Sequence, residues 1–82
     1  MTMEEAMATY EIKVEHLIKG RSPQIQRQEL LADNDTEAIK LYNKKKEETE
    51  LWNRRRSHHT GTRFVYKGLD RVDEDGVVTN VL

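Results

Sequence analysis

Cysteine is absent from this 82-residue chain, which excludes disulfides, thiolate metal sites and a cysteine nucleophile, and fits a reducing cytoplasm. Proline occurs once, as Pro23, and aromatics make up only 6% of the chain. No apolar run approaches the roughly 20 residues that cross a bilayer, so no membrane partner is expected. The first segment carries Glu4 and Glu5 in place of the basic start of a secretion signal. The default expectation is cytoplasmic residence. Serine occurs only at Ser22 and Ser57, neither in the strand-turn-helix setting of an activated nucleophile. No glycine pattern that cradles phosphate is present, so neither nucleotide-dependent catalysis nor any cofactor is expected.

What is present is charge. Charged and hydrophobic residues each make up 35% of the chain, so the apolar core is thin and much of every element faces solvent. A chain of this size removes only about 60 to 65% of its unfolded surface from water on folding. The net charge of -1 conceals segregation. Residues 1–39 hold four Lys/Arg against eight Asp/Glu, residues 40–67 nine against three, and residues 68–82 one against four. A basic middle between acidic ends gives a polarised surface, and such fields steer association.

Residues 1–9 read as a flexible leader and 10–82 as one domain. Tyr10, Ile12, Val14 and Ile18 alternate with Glu11, Lys13 and Glu15, the period of a half-buried strand. His16 falls on the buried side and reads as a half-buried core residue. Gly20-Arg21-Ser22-Pro23 supplies turn chemistry for a hairpin. Its second strand, Gln24 to Ala32, places Leu30 and Ala32 on one face and Ile25 and Leu31 on the other, suggesting a bulge or an exposed edge. Asn34 can cap a helix, with Glu37 three residues on. The stripe Ala38, Leu41, Tyr42, Lys45, Thr49 and Trp52 carries that helix to about Arg54. A competing reading stops it near Glu48 and makes Glu50 to Arg56 a strand, because Lys45 interrupts the stripe. Ser57 to Thr62 reads as a loop. Arg63 to Val72 then forms a strand with Phe64 and Tyr66 opposite Val65, Lys67 and Leu69. Asp75-Gly76 is a two-residue hairpin signal leading to a closing strand over Val77, Val78, Val81 and Leu82. The fold class is therefore α+β: a β-β-α-β-β domain with one amphipathic helix on an antiparallel or mixed sheet. That layout is similar to many short α+β proteins, among them accessory proteins of phages and mobile elements.

The most pointed feature is Arg54-Arg55-Arg56 beside Lys44-Lys45-Lys46, since guanidinium forks pair with carboxylates and phosphates. Trp52 and Tyr66 can add stacking. The plainer alternative is a solvated helix face whose arginines complement the negative helix C-terminus. His58 and His59 can titrate or bind metal in principle. Adjacent residues on extended chain point apart, however, and no third ligand stands at a diagnostic spacing, so no metal site is expected. Asp70, Asp73, Glu74, Asp75 and Gly76 resemble a fragment of a calcium loop, with Arg71 and Leu82 in places where ligands belong.

The reading that follows is a non-enzymatic protein-binding module, a regulator or inhibitor. Its expected contacts are Lys44, Lys45, Trp52, Arg54, Arg55, Arg56, Arg63 and Tyr66, or the edge at Gln24 to Gln28, against a partner with an acidic surface. The alternatives are nucleic-acid binding through residues 44–63 and, behind it, a small nuclease using the histidines with Arg54, Arg56 or Arg63. Self-association into a homodimer is a further expectation, because a polar edge strand can pair with another copy.

Overall fold

The alternation of Tyr10, Ile12 and Val14 places three large side chains on one face of a strand, and all three are almost wholly shielded from solvent. The computed structural model, which describes residues 8–82 without the side chains of Ser57 and His58, sets this strand at the centre of an antiparallel sheet. The elements run β1 (Ala8–Ile18), β2 (Gln24–Ala32), α1 (Asp35–Thr60), β3 (Thr62–Val72) and β4 (Val78–Asn80). The spatial order is β2-β1-β3-β4. One helix packs on one face of the sheet, and no helix among the described residues is long and apolar enough to cross a membrane. Ala8 and Thr9, expected in the leader, already pair in β1, and the rest of that leader lies outside the described residues.

Both hairpins turn on glycine. The Arg21 amide donates to the Ile18 carbonyl at 3.0 Å, with Gly20 at φ +79 in the position where a type II turn demands a positive angle. Between β3 and β4 the turn spans Asp73–Gly76, closed by the Gly76 amide on the Asp73 carbonyl at 2.9 Å. Only Gly76 takes a positive φ there. The connection is therefore a type I turn with a glycine bulge, in place of the two-residue mirror-image turn that Asp75-Gly76 suggested.

The β1–β2 ladder runs without interruption from Ala8↔Ala32 to His16↔Gln24, so β2 is an edge strand and carries no bulge. The irregularity lies across the sheet. Between Lys13↔Gly68 and Val14↔Tyr66 the register slips by one residue and Lys67 is left unpaired. One extra residue reverses the facing of everything beyond it. Leu69, expected opposite Phe64 and Tyr66, therefore joins their face and is fully buried against Ile12.

Asn34 caps α1, its Oδ1 accepting from the Glu37 amide at 2.9 Å. The helix runs past Arg54, past the supposed loop at Ser57, and ends only where Gly61 takes φ +67. Glu50 to Arg56 is thus helical, and the strand reading is overturned. At about 1.5 Å per residue its 26 residues span the long β1–β3 pair. Ala38 and Tyr42 complete the core with Leu30, Ala32 and Leu69. Each large apolar side chain so buried contributes about 1.5–3 kcal/mol.

Candidate functional site

The helix packs chiefly on β3 and only lightly on β2. Its inward face is turned from the expected stripe. Trp52 is 38% exposed, while Asn53 beside it is 9% exposed. Asn53 is buried for a reason apolar counting misses. Its Nδ2 donates to the Phe64 carbonyl at 2.6 Å, and its Oδ1 accepts from the Phe64 amide at 3.1 Å. β4 pairs β3 only over Asp70–Val72, so among the described residues the outer side of β3 at Phe64 has no neighbouring strand. The Asn53 carboxamide stands in for one.

This anchoring leaves Trp52 at the mouth of a cleft of about 340 Å³ between α1 and the sheet, together with Lys45, Glu48, Phe64 and Tyr66. Trp52 meets the Phe64 ring edge-on, with centroids 5.6 Å apart. Phe64 in turn stacks on His16 at 4.4 Å. His16 Nε2 is buried and has no hydrogen-bond partner among the described residues. The far wall of the cleft is Val14 and Gln28. Tyr66 leans against Tyr42 at 5.5 Å, and burial pushes the Tyr42 hydroxyl above its ordinary pKa, helped by the nearby Tyr66. A second, shallower depression shares Trp52 and Glu48 and adds Leu51, Arg55 and Arg56. Trp52 is therefore the ridge between two adjoining hollows.

The expected contact residues divide accordingly. Trp52, Tyr66 and Lys45 meet at the cleft, and Arg55 and Arg56 lie in the adjoining hollow. Arg54 lines neither hollow, because successive helical residues are turned by about 100° and, with Asn53 facing the sheet, Arg54 falls on the flank opposite Trp52. Lys44 is exposed and lines neither hollow. Arg63 alternates with Phe64, so it belongs to the face opposite the helix, near Leu17 and Lys19. Among the described residues no carboxylate forms an ion pair with Lys44, Lys45, Arg54, Arg55, Arg56 or Arg63. Residues 58 and 59 lie in the last turn of α1, in place of the extended loop expected there. Among the described residues no three His, Asp or Glu side chains gather as a metal site. Phe64 and Glu48 were not among the expected contacts, and Gln28 had been expected only as part of the β2 edge. Phe64 alone carried a signal, since it shares the Tyr66 face.

At the opposite end of α1 the polar groups are tied together. The Tyr10 hydroxyl donates to Asp35 Oδ1 at 2.6 Å. Arg71 Nη1 donates to both Asp35 oxygens, at 3.1 and 2.9 Å. The Tyr10 hydrogen bond, and after it Arg71, holds the Asp35 carboxyl below the ordinary aspartate range. Burial, with the bond to Asp35, pushes the Tyr10 hydroxyl up to about 12. This cluster clamps the start of the helix to β1 and β3 and leaves no group free for chemistry. Compared with known proteins, the chain matches no family model, no curated protein and no solved structure.

Proposed function

We propose that the chain is a small non-enzymatic binding module, a regulator or inhibitor that engages another protein, with Trp52 as the aromatic anchor and Arg55 and Arg56 meeting carboxylates of the partner. The observation that carries this reading is the half-exposed Trp52 between two adjoining hollows, beside arginines that no carboxylate of the described residues occupies. Trp, Tyr and Arg are the residues that most often dominate interface energies, and they do so when seated in partly formed pockets. Lys45 and Glu48 on the rim supply register more than affinity. The absence of cysteine fits work in a reducing cytoplasm.

Nucleic-acid binding is the second reading, favoured by an exposed aromatic ring flanked by Lys45, Arg55 and Arg56. Glu48 in both hollows, and the dispersal of Arg54 and Arg63 to other faces, weigh against it. The test is a pull-down from the native host with wild type, Trp52→Ala and the Arg55→Glu/Arg56→Glu pair. A protein captured by wild type and lost with both variants supports the reading; capture indifferent to both overturns it. A mobility-shift assay with mixed oligonucleotides at two salt concentrations separates the alternatives. Binding that falls log-linearly with salt would transfer the site to nucleic acid.

A further inference from the structure

We infer that β2 is a self-recognition edge, and that two copies of the chain pair their β2 strands antiparallel about Gln28 to form one continuous eight-stranded sheet. This surface shares only Gln28 with the cleft and does not depend on the function proposed there.

Because β2 ends the sheet and α1 leans towards β3, no strand among the described residues pairs with the outer edge of β2, and residues 24–29 and 31 are exposed. Edge strands are commonly blunted by bulges, internal proline or short length. Here the strand is long, free of bulges, and preceded by Pro23 without being interrupted by it. Ile25 and Leu31 sit on the face away from the helix, 52% and 49% exposed.

The charges on that face are unbalanced in the single chain. Glu29 lies directly across from Glu11 in the β1–β2 ladder, a like-charge placement that disfavours pairing. Arg27 answers Glu11 at 2.8 Å, and among the described residues no cation pairs with Glu29. A second copy resolves this. In the antiparallel pairing centred on Gln28, Arg27 falls opposite Glu29 of the second copy and Glu29 opposite its Arg27. Ile25 then falls opposite Leu31, twice, so the exposed apolar residues cover one another. Among registers that keep both helices on one face of the sheet, this is the one that sets Arg27 against Glu29 and Ile25 against Leu31. A two-residue slide in either direction sets Arg27 against Arg27 or Glu29 against Glu29, and a one-residue slide brings opposite faces together. Because α1 is displaced towards β3, the two helices do not compete for the seam, and an eight-stranded open sheet lies within the ordinary range.

Sedimentation of the full chain from micromolar to millimolar concentration tests this. Wild type is expected to pass from 9.7 kDa to twice that mass. Glu29→Arg retains a favourable neighbour in Glu11 within the chain but sets arginines opposite one another across the seam. It is expected to raise the dissociation constant by at least about tenfold, two cross-strand pairs having changed sign. Adding Arg27→Glu restores opposite charges and is expected to bring the constant back to within about threefold of wild type. Ile25→Lys, at a solvent-facing position, weakens association without relying on the ion pairs. A wild type that stays monomeric throughout overturns the inference. So does a dimer whose constant ignores Glu29→Arg and Ile25→Lys, or one that the double exchange fails to restore while circular dichroism shows a folded chain.

Discussion

Where α1 begins, Ala38 and Tyr42 press onto Tyr10, Ile12, Leu30, Ala32 and Leu69, and Asp35 is gripped by Tyr10 and Arg71. Where it ends, Asn53 is the only buried residue among those described, and Trp52, Arg55 and Arg56 face outward around hollows. One helix thus serves two purposes at its two ends. The apolar residues of a thin core have been gathered at one end, and the exposed arginines and the lone tryptophan at the other. A chain this small has little apolar surface to bury, and here it is concentrated at the end of the helix where Asp35 is clamped.

Substitutions should therefore cost most at the first end and, Asn53 apart, little at the second. Leu69→Ala should have the largest effect, about 2–5 kcal/mol in denaturant unfolding, because Leu69 is wholly buried and its removal leaves a cavity. Asn53→Ala should follow at about 1–3 kcal/mol, since it strips the Phe64 amide and carbonyl of their partners on a side where no strand can replace them. An Asn53→Ala chain as stable as wild type would contradict the role given to the Asn53–Phe64 hydrogen bonds. Trp52→Ala should cost no more than about 1 kcal/mol, as befits a half-exposed residue outside the core.

Tyr10→Phe should act through pH more than through the midpoint. The Tyr10 pKa is raised on folding to about 12, so its contribution is complete below the unfolded value near 10 and is lost as pH climbs towards 12. Asp35 is lowered on folding, so its contribution is present above the ordinary aspartate range and is lost as pH falls below it. Since each supports the other's shift, the phenylalanine variant should show a flatter stability profile at both extremes. A profile parallel to wild type would mean that the clamp is not formed in solution.

Much of the fold was legible because local chemistry marked it. The alternation from Tyr10 to Val14, the turns at Gly20 and Gly76, and the Asn34 cap each required a particular residue type at one place. The bulge at Lys67 has no such mark, because slipping one residue satisfies Leu69 through contacts with Ile12 that lie far away in sequence. The helix face was misjudged for a related reason. Counting apolar residues favours Trp52, whereas the bare edge of β3 calls for an amide and so draws in Asn53. The helix outran its expected end because Ser57 to Thr60 only disfavours helix weakly, and the chain stops where Gly61 adopts a positive φ. Of the site, residue types were legible and their grouping was not. Three consecutive arginines read as one patch, but a helix turns them to three directions, and only Arg55 and Arg56 reach the hollow beside Trp52.

Amide hydrogen exchange, read residue by residue along α1, tests this division most directly. Protection is expected to be greatest at Ala38 to Tyr42, over the packed end, and to fall steadily from Asn53 to Thr60. Uniform protection along the helix, or a maximum around Trp52, would contradict it.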